Sequence, residues 1–320
     1  MVQLSGQRFL VTGGGGFIGR YVVEELLAKG AQVRIFDLPS RGEHFRGRAG
    51  VELHHGDLRR PQDLPPAVEG VTGIFHLAVL ALNPSTENPR LCLEVNVDGS
   101  FNVFEAAQRA GVRKVVFSSA SSVYGDTLEV MDEGHPLQAR TIYGASKIAA
   151  EAILRAFGSF AGLEYLTLRY MNVYGPWMGF GLVDGTLKRI AAGEPPVING
   201  DGSQSFDFVY VSDVAAATVR AMESDISDEV FNVGSGDERT VREVVFALLE
   251  LAESPLQPEF RDVQVPMVRR VGSSEKAARL LGWRARVPLR EGLRRVVEAQ
   301  LGGQGAAPGA GSAPGDGERR

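Results

Sequence analysis

Tyr143 and Lys147 stand four residues apart in Tyr-Gly-Ala-Ser-Lys, at the start of a helix-patterned stretch over 141–157. The spacing puts both side chains on one helix face, about one turn apart. An unperturbed phenol titrates near ~10, and an ammonium beside it favours the phenolate, so the pair can supply a general base near neutrality. Taken alone, a Tyr and a Lys at this spacing are more often a solvated helix face. What precedes them in the chain changes that reading.

The run Val-Thr-Gly-Gly-Gly-Gly-Phe-Ile-Gly at 11–19 sets Gly13, Gly16 and Gly19 at three-residue spacing, directly after an apolar strand at 8–11 and at the opening of an amphipathic stretch at 17–29. A tight turn needs a residue without Cβ, and a helix N-terminus offers free N–H groups and a positive dipole end to an anion. The pattern therefore predicts a dinucleotide site. The next strand, 32–36, runs into Asp37, about 20 residues past the turn, where a carboxylate receives ribose hydroxyls. That carboxylate repels a 2′-phosphate and favours NAD over NADP, while Arg41 keeps the second cofactor open. An oxidised nicotinamide near Tyr143 would add to the pull toward phenolate.

These residues need a scaffold, and the elements around them supply one. Strand-like runs at 8–11, 32–36, 51–55, 73–77, 114–118 and 164–169 alternate with helical periodicity, strongest at 17–29, 89–109 and 141–157. Such alternation predicts an α/β fold, a Rossmann-type doubly wound parallel sheet. Beyond it, helix-like segments at 183–192, 212–223, 240–252, 274–281 and 288–300 come with little strand, so residues 171–301 are expected mainly to form a smaller substrate-binding lobe, with some return to the core of 1–170. The Gly, Ala and Pro-rich segment 302–320 has nothing to bury and is expected to be disordered.

At 320 residues, 44% hydrophobic and 23% charged, the chain has an ordinary globular composition. A formal net charge of −5 offers no basic field for nucleic acid. No apolar window approaches a membrane span, and no basic segment followed by an apolar run opens the chain, so the cytoplasm is the expected compartment. Cys92 is the single cysteine, which excludes an internal disulfide and a four-thiolate metal site. His54 and His55 are adjacent in a strand and point to opposite faces, so they are read as structural and no metal is expected.

Together these motifs resemble the extended short-chain dehydrogenase/reductase family, and within it the NAD-dependent nucleotide-sugar epimerases and dehydratases, over roughly residues 6–300. The resemblance rests on the glycine run, Gly56-Asp57-Leu58, His76-Leu77-Ala78, Asn96-Val97-Asp98-Gly99-Ser100, Ser118 through Val123-Tyr124-Gly125, Tyr143 to Lys147, and Arg169 through Asn172-Val173-Tyr174-Gly175-Pro176. It implies that Phe17 and Ile18 lie beneath the pyrophosphate, that Asp37 holds the adenosine ribose, and that Asp57 and Leu58 contact adenine. It further implies that Leu77, Ala78 and Val79 line the cofactor, that Asn96 is a cofactor-shell residue, and that Lys147 binds the nicotinamide ribose. Met171 is expected near the nicotinamide and Asn172 near the substrate diphosphate. A homodimer is implied by the same analogy.

The chain departs from the family pattern in three places. Ala120 falls where a catalytic Ser or Thr usually stands, leaving Ser121 as first candidate for that hydroxyl and Ser119 as second. Phe206 replaces an arginine that commonly contacts the diphosphate, and Arg269 with Arg270 is the candidate substitute, since a guanidinium fork suits phosphate oxygens. Gly272-Ser273-Ser274 stands where an Ala-Asp pair is frequent. The reading is NAD-dependent epimerisation, at C4, of a nucleotide-diphosphate sugar, with a UDP-sugar foremost. A 4,6-dehydratase would need an acid and a base where Ser121-Ser122 stands. The same residues would also serve a keto-sugar reductase or, outside the enzymes, an NAD(H)-binding sensor.

Overall fold

The apolar runs of the first half are short, rich in Val, Ile and Phe, and hydrophobic at consecutive positions, which suits strands covered on both faces. In the computed structural model, which describes residues 3–263 and 268–302, they form β1 (Arg8–Thr12), β2 (Gln32–Asp37), β3 (Val51–His55), β4 (Gly73–His76), β5 (Lys114–Ala120) and β6 (Glu164–Tyr170). The second half adds β7 (Asn172–Tyr174), β8 (Val197–Asn199), β9 (Ser205–Tyr210), β10 (Glu229–Val233), β11 (Glu238–Thr240), β12 (Glu259–Arg261) and β13 (Arg269–Arg270). A seven-stranded sheet runs in the order β10-β6-β5-β4-β1-β2-β3, every pair parallel. Strand order reverses between β1 and β4, the switch point at which such sheets open a crevice beyond their carboxyl ends.

The helices are α1 (Phe17–Ala28), α2 (Leu64–Val68), α3 (Leu82–Glu87), α4 (Pro89–Leu93), α5 (Gly99–Arg109), α6 (Ile142–Ala161), α7 (Gly181–Ala191), α8 (Val211–Glu223), α9 (Val241–Leu251), α10 (Glu275–Leu281) and α11 (Leu289–Leu301). Successive strand residues feed opposite cores. Phe9, Val11, Val33 and Ile35 pack with α1 and α8 through Val22, Leu26, Val214 and Met222. Leu10, Phe36, Ile74 and Val115 pack with α2, α5 and α6 through Leu64, Phe104 and Leu154. A separate core joins α7, α9 and α11 to β9 through Leu187, Leu248, Val296 and Phe208. None of the helices among the described residues is long and apolar enough to cross a membrane.

Two expectations need correction. Among the described residues the later half carries seven short strands rather than few: β7, β11 and β13 all attach to β9, β12 pairs with β8, and β10 extends the main sheet beside β6. These segments are only two to six residues long, and Glu238-Arg239-Thr240 has no apolar alternation to betray it. The stretch 89–109 is not one helix but α4 and α5 joined by a π-helical turn, Glu94–Asp98. Apart from Gly302, the expected disordered tail lies outside the described residues.

A buried ion pair ties β6 to α6. Arg169 donates from Nε and Nη2 to Glu151 at 3.0 and 2.7 Å, the two side chains being 5% and 9% exposed. Ser119 at the end of β5 donates to the same carboxylate, and Arg169 reaches the Tyr124 hydroxyl at 3.0 Å, which in turn donates to Asn232 on β10 at 2.6 Å. Removing one partner strands a buried charge. Arg169→Leu is therefore expected to lower unfolding free energy by about 3–5 kcal/mol, read by urea denaturation; a loss below about 1 kcal/mol would mean that the pair carries little.

Candidate active site

The carboxyl edge of β1 leads into the glycine turn. Gly13 adopts φ 70° with room for no side chain, since a Cβ there would lie 2.7 Å from the Ala78 backbone. A Cβ on Gly19 would come within 2.1 Å of the Gly13 carbonyl. Gly16 caps α1 without a side-chain bond, and no acidic residue occupies the first turn. The N–H groups of that turn and the dipole behind them suit a diphosphate, so the residues present fit a bound dinucleotide. Asp37 accepts from the Gly15 N–H at 3.0 Å and from the Leu38 N–H at 2.9 Å, while burial raises its pKa above the usual carboxylate range. Asp57 is held by Arg59 at 2.5 Å, which keeps its pKa low, and Leu58 is buried beside Gly99. After β4, Leu77 is 8% and Val79 37% exposed.

A directed chain of hydrogen bonds joins the turn to the segment after β4. Ser100 spends its proton on the Asn96 carbonyl at 2.6 Å, so its oxygen must accept from His76 Nε2 at 2.9 Å. His76 Nδ1 is then the acceptor for the Thr12 hydroxyl at 2.7 Å, which leaves the Thr12 oxygen to receive the N–H groups of Leu77 and Ala78 at 3.2 and 3.3 Å. Burial, with Lys147 as a lesser influence, pushes His76 down to about 3. The imidazole is a neutral structural link. Asn96, in the π-helical turn, clamps the backbone of Leu80 from both ends of its amide, at 2.7 and 3.1 Å, and also donates to Ser146 Oγ. It fixes the backbone of the segment after β4.

Thr141 caps α6 by accepting from the Gly144 N–H at 3.0 Å, which places Tyr143 in the first turn, where the helix dipole favours an anion. Lys147 donates to the Ser118 carbonyl at 2.7 Å, and its Nζ lies 4.8 Å from the Phe117 ring centre and 6.0 Å from that of Tyr143. Burial pushes the phenol up to about 12 and the amine down to about 7, Glu151 opposing the latter shift. Within the protein's own groups, desolvation thus outweighs the help expected from the ammonium. Cys92 is buried against Asn96 and Ser146 just behind the pair.

The serines divide cleanly. Ser118 donates to the His76 carbonyl and Ser119 to Glu151, so both hydroxyls serve the scaffold. Ala120 ends β5 half-buried, and a 3₁₀ turn, Ser121–Val123, follows. Gly144 packs onto that turn so closely that a Cβ would lie 2.6 Å from the Ser122 carbonyl. Ser122 Oγ is buried with no partner, a feature the sequence showed only as one serine among several. Ser121, 6% exposed, forms no hydrogen bond through its hydroxyl among the described residues.

Met171 is buried against Gly272, whose Cβ would meet Met171 Cε at 2.1 Å, and Asn172 opens β7 half-buried. Arg269 and Arg270 are not equivalent. Arg269 is neutralised by Glu238 at 2.8 and 3.0 Å and also donates to the Leu128 carbonyl. Arg270 pairs in register with Phe206, its Nε is buried without a partner, and its nearest carboxylate, Asp126, stands 3.9 Å away. His54 stacks on Phe36 at 5.7 Å while His55 faces Glu43 at 3.5 Å, on opposite sides of β3. Thr12 and Ser100 were visible only as members of the glycine run and of Asn96 through Ser100, with nothing to mark their side chains as linked. His76 was visible only as part of His76-Leu77-Ala78.

Comparison with known proteins bears on this geometry. The model of the NAD dependent epimerase/dehydratase family matches residues 9–234. A putative UDP-glucose 4-epimerase of Methanocaldococcus jannaschii is 33% identical, the match covering 90% of this chain and 96% of that protein. UDP-glucuronic acid decarboxylase 1 of Danio rerio is also 33% identical, over 91% of this chain and 72% of its own. The crystal structure of a Thermus thermophilus UDP-glucose 4-epimerase in complex with NAD superposes with a TM-score of 0.85 at 35% identity, covering 93% of this chain and all (100%) of that one.

Tyr143→Phe removes only the ionisable oxygen, so cofactor affinity should change little while kcat falls about 10²–10⁴-fold. Lys147→Met should impair both and move the acid limb of the kcat/KM profile to higher pH by about 1–3 units, because an opposite charge nearby lowers a phenol's pKa and its loss raises it. Near-full turnover by Tyr143→Phe would overturn this assignment.

Proposed function

The chain belongs to the NAD-dependent epimerase/dehydratase family, and we propose that it epimerises a nucleotide-diphosphate sugar at C4 through a transient keto sugar. The observation that carries the reading is Tyr143 and Lys147 one turn apart on α6, with Lys147 bonded to the Ser118 carbonyl on β5 and Ser118 bonded to the His76 carbonyl at the end of β4, where His76 meets Thr12 just before the glycine turn. Bound NAD⁺ supplies a reversible hydride acceptor, so that oxidation of the sugar carbinol and its reduction from the opposite face need no net oxidant.

The chain's own residues handle the proton and the pose. Tyr143 takes the C4 hydroxyl proton and returns it, and the α6 dipole favours the phenolate in between. Lys147, fixed by the Ser118 carbonyl, holds the nicotinamide ribose and offsets the phenolate charge. Ser121 is the first candidate to steady the sugar oxygen from the far side; Ser119 is already committed to Glu151. Asn172 and Arg270 hold the diphosphate, Arg270 standing beside Phe206 with a guanidinium that Glu238 does not neutralise. The residues before Val-Tyr-Gly are Ser121 and Ser122, not the acid and base that elimination requires, which supports epimerisation over dehydration.

The protein should convert UDP-glucose or a close relative into its 4-epimer with no net change in nicotinamide absorbance; product formation only with stoichiometric cofactor consumption would support a reductase instead. In the same assay Arg270→Ala should raise KM about ten- to a hundredfold, the weight of a charged hydrogen bond, and Arg269→Ala far less.

The chain should also act as a homodimer. Phe101 on α5 and Phe160 on α6, 43% and 71% exposed, both lean on Phe157, at 5.6 and 5.0 Å, and form one apolar surface suited to a self-complementary contact. Light scattering should give a dimer mass, and Phe101→Glu with Phe160→Glu a monomer; an unmodified protein that runs as a monomer at micromolar concentration would refute the contact.

A further inference from the structure

The helix that opens the dinucleotide cradle carries a cation with no carboxylate partner among the described residues. Arg20 is half-buried one turn into α1, and burial lowers its pKa. Its guanidinium lies 4.9 Å from the ring centre of Trp177 and donates from Nη2 to His44 Nε2 at 3.2 Å. Helix side chains lean toward the N-terminus, so a long residue here reaches back over the first turn. Three segments meet at this point. His44 belongs to the loop after β2, whose Gly42 N would lie 2.3 Å from a Cβ on Gly15. Trp177 belongs to the stretch between β7 and α7, where a Cβ on Gly175 would reach Phe17 at 3.5 Å.

Trp177 has two uncommon properties together. It is 63% exposed, and it holds φ at 64°, a conformation that a bulky side chain adopts only when something fixes it. The groups against its ring are the Arg20 guanidinium and the Tyr21 ring, centred 6.2 Å away, with Tyr21 itself edge-on to Phe17 at 6.3 Å. An aromatic chain thus runs from the cofactor cradle to the substrate lobe, with an uncompensated cation beside it. Indole is the best of the aromatic rings for a cation–π contact and guanidinium the cation most often found over it, and a guanidinium also suits phosphate oxygens through its planar fork.

We propose that Arg20 and Trp177 form a latch that holds the 175–180 segment across the dinucleotide's diphosphate, Arg20 giving the diphosphate its side-chain cation, and that this latch sets how slowly the cofactor leaves. The inference rests on the dinucleotide reading of the cleft. It uses residues outside the reacting pair, so it can fail while that reading stands.

The test is release of NADH from the full-length holoprotein, followed by loss of NADH fluorescence on chasing with excess NAD⁺, alongside equilibrium binding of ADP and of adenosine. Trp177→Ala and Arg20→Ala should each speed release at least tenfold. Arg20→Ala should weaken ADP binding at least tenfold and leave adenosine binding within twofold. Arg20→Lys keeps the charge without the planar stack, so ADP affinity should be largely kept while release stays fast; Trp177→Phe should release at an intermediate rate. Release within twofold of the unmodified protein in both alanine variants overturns the latch, as does an equal loss of ADP and adenosine affinity, which would mark general loosening. Failure of the unmodified protein to bind NADH or ADP would instead overturn the dinucleotide reading.

Discussion

Close approach of backbone at the carboxyl edge of the sheet is the constraint on which the site depends. At Gly13, Gly15 and Gly19 a methyl group would fall 2.7, 2.3 and 2.1 Å from neighbouring backbone atoms. Gly144 does the same between α6 and the 3₁₀ turn after β5, at 2.6 Å. None of these contacts can be relieved by a rotamer change, because the obstructing atoms are main chain. They determine that α1 starts soon after β1, that the loop after β4 lies against the glycine turn, and that the first turn of α6 lies against the backbone of Ser122.

Such crowding leaves polar groups that water cannot reach, and the structure answers with directed bonds. The run Ser100, His76, Thr12 to the N–H groups of Leu77 and Ala78 has a single consistent proton arrangement, so it orders three segments at once. The same dryness acts on Tyr143 and Lys147. Desolvation holds Tyr143 and Lys147 both toward their neutral forms, with pKa values pushed to about 12 and about 7. Under the proposed mechanism, a general base at neutral pH depends on charge and hydrogen bonds brought to the pair from outside it, which would couple proton transfer to correct filling of the cleft.

How much of this the sequence disclosed follows from the range of each interaction. The first six strands and the Tyr143 helix were legible because their patterns are local and long. The strands around β9 were not, since segments of two or three residues such as Arg269–Arg270 acquire strand geometry only from a distant partner. The cradle was legible because glycine spacing records a steric requirement directly. The inequality of Arg269 and Arg270 was not: adjacent arginines read alike until Glu238 is seen to take one of them. Ser119 stood second to Ser121 as the candidate hydroxyl, and its engagement with Glu151 was hidden for the same reason, because it spans 32 residues of sequence.

The π-helical turn at Glu94–Asp98 has a consequence for helical phase. Such a turn amounts to one residue more than a regular helix would hold, and each residue of a helix rotates the next by about 100°. The offset turns Val103, Phe104 and Ala107 toward the sheet and leaves Phe101 outside. A one-residue deletion within the turn would restore regular winding at the expense of the azimuth of everything after it, swinging an apolar stripe to the surface and unhooking Asn96 from Leu80. The turn is thus a counter that keeps two faces of one rod in step, the face that walls the cleft before it and the face that fills the core after it.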